Sequence, residues 1–125
     1  MIVTDTSYLV EAILRNAELF KGETFIAPDL ALYEVINVIW KHETLIQDLR
    51  DAKGCLSIIE DLISSEAIML IRPDGRLIRD AYDLSIRYKT PFYDMIFVAL
   101  ALRLKLEFRT FDKAQSRILS QEISH

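Results

Sequence analysis

Short apolar runs alternate along this chain with longer segments of helical period, and that alternation limits the fold more than any other feature. Ile2-Val3, Phe25-Ile26-Ala27 and Ile68-Met69-Leu70-Ile71 read as three buried strands, and residues 106–111 as a fourth. Asp5-Thr6-Ser7 supplies capping side chains for a helix to about residue 20. Pro28-Asp29 opens a helix whose Leu32, Val35, Ile36 and Ile39 share one apolar face. From about 45 to 64, Leu49, Ala52, Leu56, Ile59 and Ile63 recur at spacings of three and four, which predicts an amphipathic helix. Pro73-Asp74-Gly75 closes the third strand, and the next helix has Leu77, Ile78, Ala81, Tyr82, Ser85 and Ile86 on its inner side. Strands separated by helices imply a parallel sheet covered on both faces. The expected class is α/β, with residues 1–125 as a single domain.

Met95 to Leu102 is apolar all round, and periodicity alone does not separate a buried strand from a buried helix there. Thr90-Pro91 before it, Asp94 near its start and its Ala/Leu content favour a central helix. Trp40, Tyr82 and the phenylalanines are expected in the core, and Cys55 as an inert packed residue of its helix.

Four acids fall at strand exits or in helix openings: Asp5 after the first strand, Glu34 inside the helix that follows the second, Asp94 in the central helix and Asp112 after the fourth strand. In an α/β sheet these positions gather at one edge, where ligands bind. Carboxylates gathered there cannot all stay ionised without a cation between them. Oxygen ligands without sulfur or imidazole favour a hard ion, magnesium or manganese. Singly, Asp5, Asp94 and Asp112 also read as helix caps and Glu34 as part of a solvated face. Jointly they read as a site. Thr6, Ser7 and Thr110 lie beside the acids and Asn37 three residues after Glu34, as supporting polar groups or as caps and surface side chains. His42 at a helix end and His125 at the terminus are poorly placed for a general base.

Composition narrows the classes further. The chain is 51% apolar and 27% charged, which suits a folded domain and excludes disorder. No run approaches the roughly 18 apolar residues of a membrane span, and no signal-peptide pattern opens the chain, so a cytoplasmic location is expected. One cysteine makes no internal disulfide, and no Cys/His spacing suits zinc. A net charge of −4 counts against a nucleic-acid partner only until the four acids are set aside, when 15 acidic residues face 15 basic ones. A bound divalent ion would invert the local potential that a phosphate meets. Three glycines leave no glycine-rich phosphate loop.

Ile2-Val3-Thr4-Asp5-Thr6-Ser7, Ala27 to Asn37, Tyr93-Asp94 to Ala101 and Thr110-Phe111-Asp112-Lys113 together resemble PIN-domain ribonucleases, most of all the VapC-type toxin of a VapBC toxin–antitoxin pair. The resemblance implies a PIN-like three-layer α/β/α sandwich with a short parallel sheet. It also implies a metal-dependent endoribonuclease in which Asp5, Glu34, Asp94 and Asp112 bind Mg²⁺ or Mn²⁺, supported by Thr6, Ser7, Asn37 and Thr110. Its products would be a 5′-phosphate and a 3′-hydroxyl. Its partners would be RNA, a cognate antitoxin and a second copy of the chain, docked through the helices between residues 29 and 64. Lys113 and Arg117, one turn apart, suit contacts to an RNA backbone or an ordinary solvated face. Two departures from the pattern stand out: Lys105, Glu107 and Arg109 predict a more exposed last strand or a different surface beside the site, and the ending at Ser120 to His125 predicts a stunted or missing edge strand beyond it.

Three rivals differ in chemistry. A haloacid-dehalogenase-like phosphatase needs a second Asp two residues after the nucleophilic one, where Ser7 stands. A receiver domain needs paired acids after its first strand, where Asp5-Thr6 stands. A non-catalytic RNA-binding or interaction module has no use for four intact acids.

Overall fold

A computed structural model describes residues 1–124. Four parallel strands, β1 (Ile2–Thr4), β2 (Phe25–Pro28), β3 (Ile68–Ile71) and β4 (Phe108–Arg109), form one sheet in the order β3-β2-β1-β4. Val3 sits between Ile26 on one side and Phe108 on the other. β1 and β2 are wholly buried, while β3 and β4 at the edges are partly open to solvent. Buried Thr4 ties the β4 edge in, its Oγ1 donating to the Arg109 carbonyl at 2.9 Å. The exposed Lys105 and Glu107 flank this edge, and among the described residues no strand follows the last helix.

Among the described residues six α-helices flank the sheet. α1 (Thr6–Leu14), α2 (Leu30–Lys41) and α3 (Ala52–Ser64) pack on one another as one layer. α4 (Gly75–Tyr88), α5 (Phe92–Leu104) and α6 (Lys113–Ile123) pack as the other. The α/β/α sandwich is therefore present. α5 is the central helix, with Met95 through Ala101 all buried and its side against β1 and β2. Apolar residues on every face of a helix require neighbours on every face, and this one has them.

Several boundaries differ from the sequence expectation. α1 stops at Leu14, and Ala17–Phe20 forms a separate 3-10 turn after Arg15 and Asn16 leave helical geometry. The helix expected over 45–64 is two pieces. α2 runs on into a π-helical turn at His42–Ile46, which Gln47 ends in the left-handed region at φ 61°. α3 then starts at Ala52, where the Asp51 carboxylate accepts from the Gly54 amide at 2.9 Å. A Cβ on Gly54 would meet that carboxylate, so any other residue there would make the Asp51 side chain shift.

Core membership also shifts. Trp40 is 52% exposed and Tyr82 58% exposed, and Phe111 lies at the surface against Tyr8, whereas Phe25 and Phe97 are buried. On α4 the inner stripe is Leu77, Ala81 and Leu84, and Ile78, Tyr82 and Ile86 form a second, exposed stripe one residue further round. On α2, Val35 and Ile39 face inward while Ile36 is exposed. In α3, Ala52, Cys55 and Ile59 are buried but Leu56 and Ile63 are exposed. Cys55 behaves as expected: burial first, then the charge of Asp51, pushes its thiol pKa up and keeps it unreactive.

Candidate active site

The strand order places β4 on the far side of β1 from β2 and β3, so the chain changes direction across the sheet between β1 and β4. The carboxyl ends of those strands are where such sheets open a crevice. A cleft of about 320 Å³ lies there, lined by Asp5, Thr6, Ser7, Glu34, Asp94 and Asp112 together with Val10, Val38, Phe97 and Gln115. All four acids meet in it.

Asp5 is 2% exposed and caps α1, with Oδ1 accepting from the Tyr8 amide at 3.1 Å. Ser7 Oγ donates to Oδ1 at 2.8 Å, and Thr110 Oγ1 donates to Oδ2 at 2.7 Å. Each hydroxyl has one proton, so both are committed to Asp5. Their oxygens then accept from the next loop: Ser7 Oγ from the Phe111 amide at 3.0 Å and Thr110 Oγ1 from the Asp112 amide at 2.8 Å. The 3.2 Å approach of the two hydroxyl oxygens is therefore a polar contact with no proton left to share. Thus Ser7 and Thr110 fasten the loop that follows β4 onto the start of α1.

Glu34, in the second turn of α2, accepts from Thr6 Oγ1 at 2.6 Å through Oε1. Asp112 caps α6, its Oδ1 accepting from the Gln115 amide at 3.1 Å and its Oδ2 from Gln115 Nε2 at 3.4 Å. Asp94 lies in the first turn of α5, where the helix dipole favours a carboxylate. Among the described residues no hydrogen bond holds the Asp94 side chain.

Electrostatics shows the four acids sharing one field. Burial raises the Asp94 pKa, and the charges of Asp112, Glu34 and Asp5 raise it further. Burial also raises Asp5, against the lowering by its three hydrogen bonds, and Asp112 adds to the rise. Where burial and neighbouring carboxylate charges hold a pKa up, as at Asp94 and Asp5, a cation placed among those charges is stabilising. Among the described residues no three acidic, histidine or cysteine side chains stand close enough to enclose one ion as they are oriented.

Oxygen-only donors still fit a hard divalent ion. A carboxylate offers about four lone-pair directions, and protein donors fill three on Asp5 and two on Asp112. Among the described residues the remaining acceptor sites of these two carboxylates take no protein hydrogen bond.

Thr6, Ser7 and Thr110 thus contact the acids as the sequence suggested. Asn37 does not: it is exposed, lies outside the cleft, and among the described residues makes no hydrogen bond to Glu34. His42 pairs at the surface with Asp48 at 2.7 Å, and His125 lies outside the described residues. Gln115 was not singled out from sequence. Its signal was position alone, three residues beyond an N-cap, where a side chain can return to the cap.

A family model described as the PIN domain matches residues 2–119. The chain is 28% identical over 85 residues to the protein named Ribonuclease VapC3 of Pyrobaculum aerophilum, an alignment covering 68% of this chain and 63% of that protein. It thus spans a little under two thirds of that relative's length. The fold is similar to the crystal structure of PAE2754 from Pyrobaculum aerophilum, with a TM-score of 0.70 and 18% sequence identity over 99% of this chain and 96% of the other.

Proposed function

This chain belongs to the PIN domain family, and we propose on that basis that it is a metal-dependent endoribonuclease, the toxin of a type II toxin–antitoxin pair. The observation that carries the reading is the convergence of Asp5, Glu34, Asp94 and Asp112 on one cleft at the carboxyl edge of the sheet. The name of the relative, Ribonuclease VapC3, supports the same activity and class. No described helix is long and apolar enough to cross a membrane, which accords with a cytoplasmic toxin.

The four carboxylates would hold one or two Mg²⁺ or Mn²⁺ ions. A divalent ion in this cleft would supply Lewis acidity, to activate a water and to offset charge on the leaving oxygen of a phosphodiester. The chain's own residues supply position. Ser7, Thr110 and the Tyr8 amide fix Asp5, so that carboxylate needs no reorganisation when charge enters the cleft. Thr6 aims Glu34. Asp94, unheld by protein donors, is free to turn toward a cation. Val10, Val38 and Phe97 line the same cleft and limit the water that competes for it. Lys113 and Arg117 are exposed on α6, which Asp112 caps, and would meet RNA phosphates.

Assembly belongs to the same reading. Tyr33, Ile36 and Trp40 on α2, with Leu45 and Ile46 in its π turn, are large apolar side chains left exposed. Such a surface suits a second copy of the chain or a cognate antitoxin.

The test is metal dependence. Protein stripped with EDTA should leave a single-stranded RNA intact, and added Mg²⁺ or Mn²⁺ should restore cleavage to 5′-phosphate and 3′-hydroxyl ends. Cleavage that continues in EDTA, or that leaves cyclic phosphates, would overturn the mechanism.

A further inference from the structure

Among the described residues only one buried side-chain polar atom lacks a hydrogen-bond partner, and it is Gln115 Oε1. Gln115 is 4% exposed and lines the acid cleft. Its amide orientation follows from chemistry: the NH₂ group faces Asp112 Oδ2 at 3.4 Å, and the reverse placement would set two acceptors against each other. Oε1 is then a buried, unpartnered acceptor on a side chain that lines the acid cleft. The hydroxyls of the cleft are already committed, those of Ser7 and Thr110 to Asp5 and that of Thr6 to Glu34. Buried acceptors are rarely left unpaired, because losing water without a replacement destabilises the fold.

The donor that suits this place is the hydration shell of a divalent cation, whose waters are strongly polarised. We propose that Gln115 is a positioning residue of the metal centre, orienting Asp112 through Nε2 and accepting from the cation's hydration shell through Oε1. The proposal rests on the metal-dependent reading above. Residues that hydrogen-bond to ligands and waters around a metal commonly change its affinity about 10- to 100-fold when replaced. Gln115 lies on α6 between Asp112 and buried Ile118, so an unbranched apolar replacement of similar length fits its surroundings.

The experiment compares Mn²⁺ binding, by calorimetry, in the parent, Gln115→Met and Asp94→Asn, with melting temperatures in EDTA measured alongside. Gln115→Met should weaken Mn²⁺ about tenfold or more while its EDTA melting temperature stays equal or rises, because the orphaned acceptor is gone. A merely structural glutamine predicts the opposite pattern, a lower melting temperature with Mn²⁺ affinity unchanged, and that result overturns the proposal. Asp94→Asn separates the two layers. If it loses Mn²⁺ while Gln115→Met binds as the parent does, the inference about Gln115 fails alone. If neither variant loses affinity, the metal site itself is misplaced. Should Gln115→Met not fold, Gln115→Leu takes its place under the same criteria.

Discussion

Asp94 carries the electrostatic consequence of the cleft at the level of a single residue. Burial first, then Asp112, Glu34 and Asp5, hold its folded-state pKa above the unfolded value of about 3.9. Between those two values the native protein keeps a proton that the unfolded chain has released. Stability from this source is complete below the unfolded pKa and is lost as pH rises through the folded one. Asp94→Asn removes the ionisation, so in EDTA at pH 7 it should melt above the parent, and the two should converge by about pH 4. Thermal melts across that range check it, and a lower melting temperature for the variant at pH 7 would mean that Asp94 is a helix-dipole partner only. Asp5 and Asp112 were legible in the sequence because strand exits and cap positions are local features. Gln115 was not, because a glutamine in a polar helix reads as surface, and only the tertiary arrangement shows it buried against Asp112. Asn37 failed for the converse reason. Spacing puts it near Glu34's face, but a helical step of three leaves it turned about 60° away, which here carries it out of the cleft.

Helix starts were easier to read than helix stops. Asp5, Asp51, Asp74 and Asp112 each accept from an amide at the start of their helix, and aspartate before an apolar period is the ordinary signal for this. The stops are made by Lys89, Lys105 and Gln47 in left-handed conformations, positions where glycine is the usual mark. Nothing in those side chains announces a turn, so the end of α2 and the break before α3 were illegible. The phase of α4 was legible only to within one residue, since two apolar stripes lie side by side and only packing chooses between them. Asp74 joins two elements in a testable way: it caps α4 through the Leu77 amide and holds Arg103 of α5 with both oxygens at 2.8 Å. The Arg103 hydrogen bonds, and then that amide, lower its pKa to about 2. Stability from a depressed carboxylate is present above the unfolded pKa and is lost as pH falls through the folded one. Asp74→Asn keeps a competent cap and removes the ion pair. It should melt slightly below the parent at neutral pH, and the gap should close as pH falls from about 4 towards 2. A gap independent of pH would assign the effect to packing.

At the scale of the molecule, the alternation of strands and helices specified a parallel sheet and two helical layers, and the all-round apolar α5 specified its own central place. Strand order was not specified, because alternation is silent about which side of β1 the last strand takes. Yet that order matters most for function. With β4 beside β1, Thr110 and Asp112 arrive next to Asp5, and the acid cleft forms at the point where the sheet changes direction. On the proposed function these four carboxylates act as one metal-dependent site. The most direct measurement is the rate of single-stranded RNA cleavage in Mn²⁺ by the parent and by Asp94→Asn, whose side chain is nearly isosteric. A metal ion contributes several kcal/mol of charge stabilisation, so losing a ligand carboxylate should slow cleavage about 100-fold or more. A variant that cuts as fast as the parent, at the same Mn²⁺ concentration and with its fold intact, would contradict the account.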